Sequence, residues 1–427
     1  MSKEDKEVEW KEIGECSHLP ILWKYDNNGN FRTWEIVVGS NGYHTIHGIE
    51  SGKIQFTKPT MCEPKNVGKS NETTALSQAM AEAKAMWVKR QDKEYTQNRD
   101  TCKQRSIDLF SPMRAYKWSE KFENIKAGTK LIITPKMDGI RCSTRYKDCE
   151  VKSISRGNKE FKTVGHINEA CGDMIKELEV NGVVSHDLTE AIIDGELYNH
   201  ELSDDFNKIA SLIKKTKPTN EDIEEACCMV IFYIFDIYFP NAPNLTALQR
   251  LSIMNDMIDE CDVNEFGISH VEYEIVDYNP DDLSDIEAAH KKFVGMGYEG
   301  SMIRLANSVY EQKKSALLLK YKDFTDAEFE IVDVVEGVGN RAGMCGRFIV
   351  RDVNGILAPK SDGSGREFKS SPMGNFDLFR EYWTNKENYI GTQVTVKYQE
   401  TTPIDKKDSD KGGVPRFSNV HSVRDYE

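Results

Sequence analysis

Cysteines at metal-binding or redox spacing are missing from this chain, where Cys227-Cys228 is the only adjacent pair. Ten cysteines are scattered over 427 residues and none stands in C-x-x-C spacing. Neither a zinc cluster nor a dithiol redox motif therefore has a candidate, and free thiols in a reducing compartment are expected. Long apolar runs are missing too. No stretch reaches the 18 residues of a membrane span, and the charged start MSKEDKEVEW offers no secretory leader. A cytoplasmic protein with no membrane partner is expected. Positive charge is in deficit, with 56 Lys and Arg against 70 Asp and Glu, a net −14. Taken over the whole chain, that sum speaks against a nucleic-acid partner. The deficit is uneven, however, because Pro112 to Lys162 holds 13 Lys and Arg against 6 Asp and Glu. A local basic channel steers phosphates more than the global sum does, so charge excludes neither class. What remains is a globular composition, long enough for two or three domains.

The first hundred residues read as a small α+β unit. Leu19 to Lys58 alternates as short strands between turns such as Asp26-Asn27-Asn28-Gly29-Asn30 and Gly39-Ser40-Asn41-Gly42. From Thr74 to about Lys93, Leu76, Ala79, Met80, Ala83 and Trp87 fall at helical spacing, with Thr73 or Thr74 as the cap. Lys65 to Thr74, Gln78-Ala79, Trp87 to Tyr95 and the strand around Trp34 resemble WGR-type modules, although the Trp-Gly-Arg triplet itself is absent. That resemblance implies contact with DNA ends or nicks, with Arg32, Lys65 and Lys69 as the residues to test. A packing module without nucleic-acid contact is the other reading.

The organising stretch is Thr134-Pro135-Lys136-Met137-Asp138-Gly139-Ile140-Arg141. A strand-like run delivers one Lys to a turn holding Asp and Gly, and an Arg follows. A Lys amine attacks only when unprotonated, which like charge or desolvation favours. Gly139 is expected to let the backbone come close to a nucleotide, and Arg141 offers a forked donor to phosphate or ribose. Alone, the octamer also fits a charged surface turn. Further pieces follow in order: Ser155-Arg156-Gly157, Asp194-Gly195-Glu196, Phe235-Asp236 within the apolar run 230–239, Glu299-Gly300-Ser301-Met302-Ile303-Arg304, and Leu318-Leu319-Lys320-Tyr321-Lys322. Lys320 and Lys322 are predicted on one strand face, where two ammoniums repel unless an anion lies between them. Gln104 to Tyr116 reads as a connector. From Asp323 onward the chain is strand-rich and punctuated by glycine, as in a small Greek-key barrel of OB type.

These pieces, with Pro112-Met113-Arg114-Ala115 ahead of them and Pro415-Arg416-Phe417-Ser418 behind, resemble the ATP-dependent DNA ligases of small viral and phage type over about three quarters of the chain. The fold class implied is α+β multidomain: a WGR-like putative DNA-binding module at 1–104, a nucleotidyltransferase (adenylation) domain at 105–322 and an OB-fold β-barrel at 323–427. The resemblance implies ATP and Mg²⁺ (Mn²⁺ substituting) as cofactors, nicked double-stranded DNA as partner, and a monomer, in the host cytoplasm if phage-encoded. Its catalytic residues are Lys136, Asp138, Lys320 and Lys322, with Lys136 forming the lysyl-AMP. Thr134 reads the adenine edge, Phe235 its face and Glu196 the ribose, with Glu196 and Glu299 as metal carboxylates. Arg141, Arg156 and Asp138 lie near the nick phosphate and 3′-hydroxyl, and Arg416 and Arg424 orient the triphosphate. The chain departs from the family in having Lys314-Ser315 for Arg-Ser, Ser418 for Pro and Tyr426 for Lys. Rival readings are an mRNA-capping guanylyltransferase, an RNA ligase of the same superfamily, an NAD⁺-dependent ligase (whose zinc cluster lacks cysteines here) and a non-catalytic DNA-end-binding protein.

Overall fold

In the computed structural model the described residues are 11–26, 28–92, 95–108, 110–147, 150–181, 190–203, 205–259, 267–338, 341–402, 404–405 and 408–423. The chain divides into two compact units, one of residues 110–323 and one formed by the chain ends, 1–109 and 324–427. At the N-terminal end, β1 (Lys11–Ile13), β2 (Cys16–His18), β3 (Leu22–Tyr25), β4 (Phe31–Val38), β5 (Gly42–Ile49), β6 (Ile54–Phe56) and β7 (Thr60–Met61) make one antiparallel sheet. The helix α1 (Ala75–Gln91) buries Ala79, Ala83 and Trp87 against Trp34, Ile36 and Val38 of β4. It starts in a capping box, Thr74 with Ser77, which satisfies otherwise unpaired N–H groups. The expected connector is helical in its first half. α2 (Arg99–Asp108) extends past Gln104, held by buried Cys102 and by Arg99, which pairs with Glu50 at 2.8 Å and lies 3.9 Å over the Phe31 ring. Two of the three residues expected to meet DNA are engaged with acids: Lys65 with Glu82 at 2.9 Å and Arg32 with Asp26 at 3.5 Å.

The central unit is two five-stranded sheets with helices packed on them. One sheet runs β11-β10-β12-β13-β14 and the other β15-β9-β16-β17-β8. In chain order these are β8 (Arg114–Lys117), β9 (Lys130–Lys136), β10 (Ile140–Lys147), β11 (Glu150–Ser155), β12 (Ile192–Tyr198), β13 (Ile231–Tyr238), β14 (Ile268–His270), β15 (Glu274–Asp277), β16 (Gly300–Leu305) and β17 (Lys314–Tyr321). Helices α4 (Gly165–Asn181), α5 (Phe206–Ile213), α6 (Asn220–Met229) and α7 (Ala247–Asp259) share the core of the first sheet, and α8 (Ser284–Gly295) that of the second. Phe110, Met113, Ile192, Tyr310 and Leu318 form a further buried cluster drawing on both sheets. The short α3 (Trp118–Lys121) stacks Trp118 on Tyr321. Because β9 belongs to one sheet and β10 to the other, Lys136 and Arg141 stand on either side of the corner where the chain crosses between them.

The C-terminal part closes β18 (Thr325–Glu336), β19 (Cys345–Arg351), β20 (Glu367–Pro372), β21 (Gln393–Tyr398) and β22 (Asn419–Val423) into a barrel ordered β18-β19-β20-β22-β21. Helix α9 (Phe376–Thr384) lies between β20 and β21 in sequence and contributes Phe379 and Tyr382 to the barrel core. This is the OB-type architecture expected from the sequence. Arg366 is 2% exposed and has no acid partner among the described residues; it donates to the carbonyls of Ala358, Pro359, Ser409, Asp410 and Gly412. Those five bonds staple two loops together without burying an unsatisfied cation.

Candidate active site

Strand register gathers the motifs. In the second sheet Lys136 pairs with Gly300, and Thr134 with Met302, which in turn faces Lys320 on β17. Glu299 donates its N–H to the Lys136 carbonyl at 2.9 Å, bringing its side chain beside the amine. Its carboxylate accepts from both Lys136 and Lys322. Burial opposes the charge on Glu299, yet the two ammoniums hold its carboxyl below the usual range. Lys320 and Lys322 are both pushed down, first by burial and then by repulsion from Lys136. A cluster of three lysines around one carboxylate is short of negative charge, so it suits a polyphosphate.

In the first sheet Arg141 pairs with Glu196 and Glu196 with Tyr233. Burial raises the Glu196 carboxyl to about 7, with the Lys136 ammonium opposing. No hydrogen bond to its side chain occurs among the described residues. Phe235 owes its orientation to a bulge. Asp194 pairs with Asp236 and Gly195 with Ile234, so Phe235 is the extra residue and the alternation of β13 slips there. Bulges re-aim side chains next to active sites. One side of the ring meets Arg141, whose guanidinium carbon lies 5.3 Å from its centroid.

Thr134, Lys136, Arg141, Arg156, Glu196, Phe235 and Lys320 are among the residues lining a cavity of about 670 Å³, whereas Glu299 and Lys322 stand behind Lys136 and are not among them. Asp138 sits half-buried on the crossing between β9 and β10. Arg416 belongs to the C-terminal part, where it pairs with Glu400 at 2.6 Å. Arg424 lies outside the described residues. Two expectations change. The fork of Arg141 is already engaged, donating to both oxygens of fully buried Asp194 (2.9 Å from Nε) and to the Met113 carbonyl at 2.6 Å. The close approach at Gly139 is to β12 rather than to a ligand: a Cβ there would lie 2.5 Å from the Leu197 carbonyl and 2.8 Å from Glu196 Cγ.

Sequence reasoning missed the buried polar frame behind the cavity. Tyr310 donates to Asp194 at 2.6 Å and accepts from the Met113 N–H at 3.0 Å. Arg250, 2% exposed, forks onto Asp236 (2.7 Å from Nε), while Arg304 reaches Asp236 at 3.2 Å and the Phe235 carbonyl at 3.1 Å. Burial disfavours charge on Asp236, but Arg304 and Arg250 hold its carboxyl low. The available signal was the acidic residues Asp194 and Asp236 inside mostly apolar strands; buried charges need partners.

The family model described as the ATP dependent DNA ligase domain matches residues 112–322, the stretch that builds both sheets and the cavity. Residues 112–322 are an ATP-dependent DNA ligase domain. Relatives include the DNA ligases of African swine fever virus. The Pretoriuskop isolate's is 25% identical over 88% of this chain and 82% of its own length. The Malawi isolate's is 25% identical over 96% and 97%. Among solved structures, one named Pmar-Lig_Pre aligns with a TM-score of 0.61 at 21% identity, over 77% of this ligase and 72% of that chain. A Lig E DNA ligase aligns with a TM-score of 0.51 at 19% identity, over 74% of this ligase and all of that chain. Both structural likenesses concern the fold. Among the described residues no helix is long and apolar enough to cross a membrane.

Proposed function

We propose that this ligase seals 5′-phosphate/3′-hydroxyl nicks in duplex DNA through a lysyl-AMP on Lys136 and a DNA-adenylate. The observation that carries the reading is the position of the Lys136 amine, half-buried at the corner of two sheets and bonded to the carboxylate it shares with Lys322. The amine, having given up a proton, attacks the α-phosphorus of ATP. A P–N bond forms, and the bond to pyrophosphate breaks. An oxygen of the DNA 5′-phosphate then attacks the same phosphorus, forming P–O–P as the P–N bond breaks and the amine regains a proton. The 3′-hydroxyl oxygen finally attacks the DNA phosphorus, loses its proton and expels AMP. Lys320 and Lys322 stabilise negative charge growing on phosphate oxygens, Thr134 and Phe235 frame the base, and Asp138 and Arg156 face the acceptor. Arg416 is assigned to the triphosphate, the N-terminal module to holding DNA, and the working form is a monomer.

Mg²⁺ fits the residues present. Among the described residues no three metal-ligating side chains cluster, but Mg²⁺ commonly takes one or two carboxylates, with substrate phosphates and water completing its shell. Glu196, whose side chain has no hydrogen bond among the described residues, and Glu299 would hold it; when bound it supplies charge stabilisation at the phosphates. Incubating a singly nicked, 5′-phosphorylated duplex with the protein, ATP and Mg²⁺ should give sealed strand on a denaturing gel, and Lys136→Ala should give none. Sealing by Lys136→Ala would refute the assignment, and a requirement for GTP in place of ATP would move the protein to the capping enzymes.

A further inference from the structure

The cavity is far more basic than the protein around it. Its lining holds eight Lys and Arg side chains and a single carboxylate, Glu196, within a chain of net charge −14. Three of those cations are paired with acids: Lys136 with Glu299, Arg141 with Asp194 and Arg304 with Asp236. The other five have no ion-pair partner among the described residues. Lys320 adjoins Lys136 and is accounted for by the nucleotide. Arg114 and Lys314 stand opposite one another on neighbouring strands of the second sheet. Arg156 and Lys214 remain, on the wall belonging to the first sheet, and Lys214 belongs to no motif of the sequence.

Lys214 is held in place rather than trailing from the surface. It is the C-cap of α5, its N–H bonded to the Ala210 carbonyl at 3.0 Å. That helix is anchored through buried Ile209, Leu212 and Ile213. The hydroxyl of Thr163, itself 0% exposed, donates to the Ile213 carbonyl at 3.3 Å, tying the helix end to the segment that follows Arg156. Arg156 rides on a turn closed by Asn158 N–H to the Ser155 carbonyl at 2.8 Å and by Lys159 N–H to Ser155 Oγ at 3.1 Å. The ammonium of Lys214 lies 5.6 Å from the Phe206 ring centroid, on the cavity side of α5, where Phe206 also lines the wall.

A terminal 5′-phosphate carries a charge of about −2 near neutral pH. To be activated it must come within bonding distance of the phosphorus on Lys136, and so must enter this cavity. In an acidic protein it needs cations that no carboxylate has claimed. We propose that Lys214, together with Arg156, forms the subsite that receives the 5′-phosphate of the acceptor strand; the inference rests on the ligase reading above. Lys214 thus selects nicks with a 5′-phosphate over those ending in a 5′-hydroxyl, and it takes no part in forming the lysyl-AMP.

The test uses full-length protein carrying Lys214→Gln, with Lys214→Arg to retain the charge and Lys215→Gln as control, since Lys215 points to Asp222. Three quantities are read: AMP incorporation from ATP and Mg²⁺, single-turnover AMP transfer from adenylated protein to nicked duplex, and the affinity ratio for 5′-phosphate over 5′-hydroxyl nicks. Lys214→Gln should adenylate like wild type, transfer AMP about tenfold more slowly at subsaturating DNA, and lose most of the 5′-phosphate preference, as removal of one charge-assisted contact implies. Lys214→Arg should largely restore both, and Lys215→Gln should match wild type. Unchanged transfer and preference overturn the proposal, as does equal weakening on both nicks or a matching loss of adenylation. A wild-type protein that takes up no AMP would overturn the ligase reading instead.

Discussion

At the scale of single residues, Glu196 carries the most distinctive electrostatics. Its carboxyl is raised from 4.5 to about 7 by burial, so between those values the folded chain binds a proton that the unfolded chain has released. Stability therefore falls as pH rises through that window, and the full cost is present above it. Glu196→Gln should raise stability at pH 8 by on the order of 2 kcal/mol and leave it unchanged at pH 4, which thermal melts at the two pH values would check. The same variant should weaken adenylation, because the carboxylate that costs stability is the one assigned to ribose and metal. A variant no more stable at pH 8 would show that Glu196 is well solvated. Asp236 has the opposite sign: its carboxyl is held below the usual range by Arg304 and Arg250 against burial. Its contribution is present above the ordinary carboxylate range and is lost as pH falls through the depressed value. Removing one partner, as in Arg250→Met, leaves Asp236 to Arg304 alone and takes the donor from the Leu245 and Ser308 carbonyls; it should cost about 1–3 kcal/mol, read as a lower midpoint in urea.

At the scale of elements, neighbouring strands press closely on two glycines. A Cβ on Gly139 would collide with the β12 backbone and Glu196, and one on Gly300 would lie 2.3 Å from the Tyr321 carbonyl. Gly139→Ala should therefore cost roughly 1–3 kcal/mol and slow adenylation by displacing Glu196. Wild-type adenylation in that variant would mean that the β9–β10 crossing yields without moving the carboxylate. The octamer around Lys136 was legible because its residues are contiguous and their chemistry is unusual. The partners of its members were not. Arg141 finds Asp194, Asp194 finds Tyr310, and Asp236 finds Arg304 across long stretches of sequence, and no local pattern encodes those contacts. The bulge at Phe235 was hidden for another reason: in the run 230–239 nearly every residue is apolar or aromatic, so there is no polar alternation to show a slipped register. The amphipathic helices and the barrel were readable, since period and turn residues are local. The helix at 99–108 was not, because Cys102 and Arg99 are held by tertiary contacts.

For the whole molecule, charge is distributed against its own sum. The chain is acidic, yet the cavity is lined by cations, so binding to nicked duplex should depend steeply on salt. If several phosphates are neutralised, affinity should fall by about 10² or more between 50 and 200 mM salt. A flat response would argue that DNA does not enter over this face. The N-terminal module contributes less obvious charge, as Lys65 and Arg32 are paired with Glu82 and Asp26. If it holds DNA, the combined change Arg32→Glu, Lys65→Glu, Lys69→Glu should weaken nick affinity and leave AMP uptake intact. Undiminished affinity would leave the module with a packing role. All of this turns on one covalent bond. The decisive measurement is peptide mapping by mass spectrometry after incubation with ATP and Mg²⁺. The peptide containing Lys136 should gain the mass of AMP on that side chain, and the adduct should vanish when 5′-phosphorylated nicked DNA is added. An unmodified Lys136, or AMP on a different residue, would contradict the mechanism.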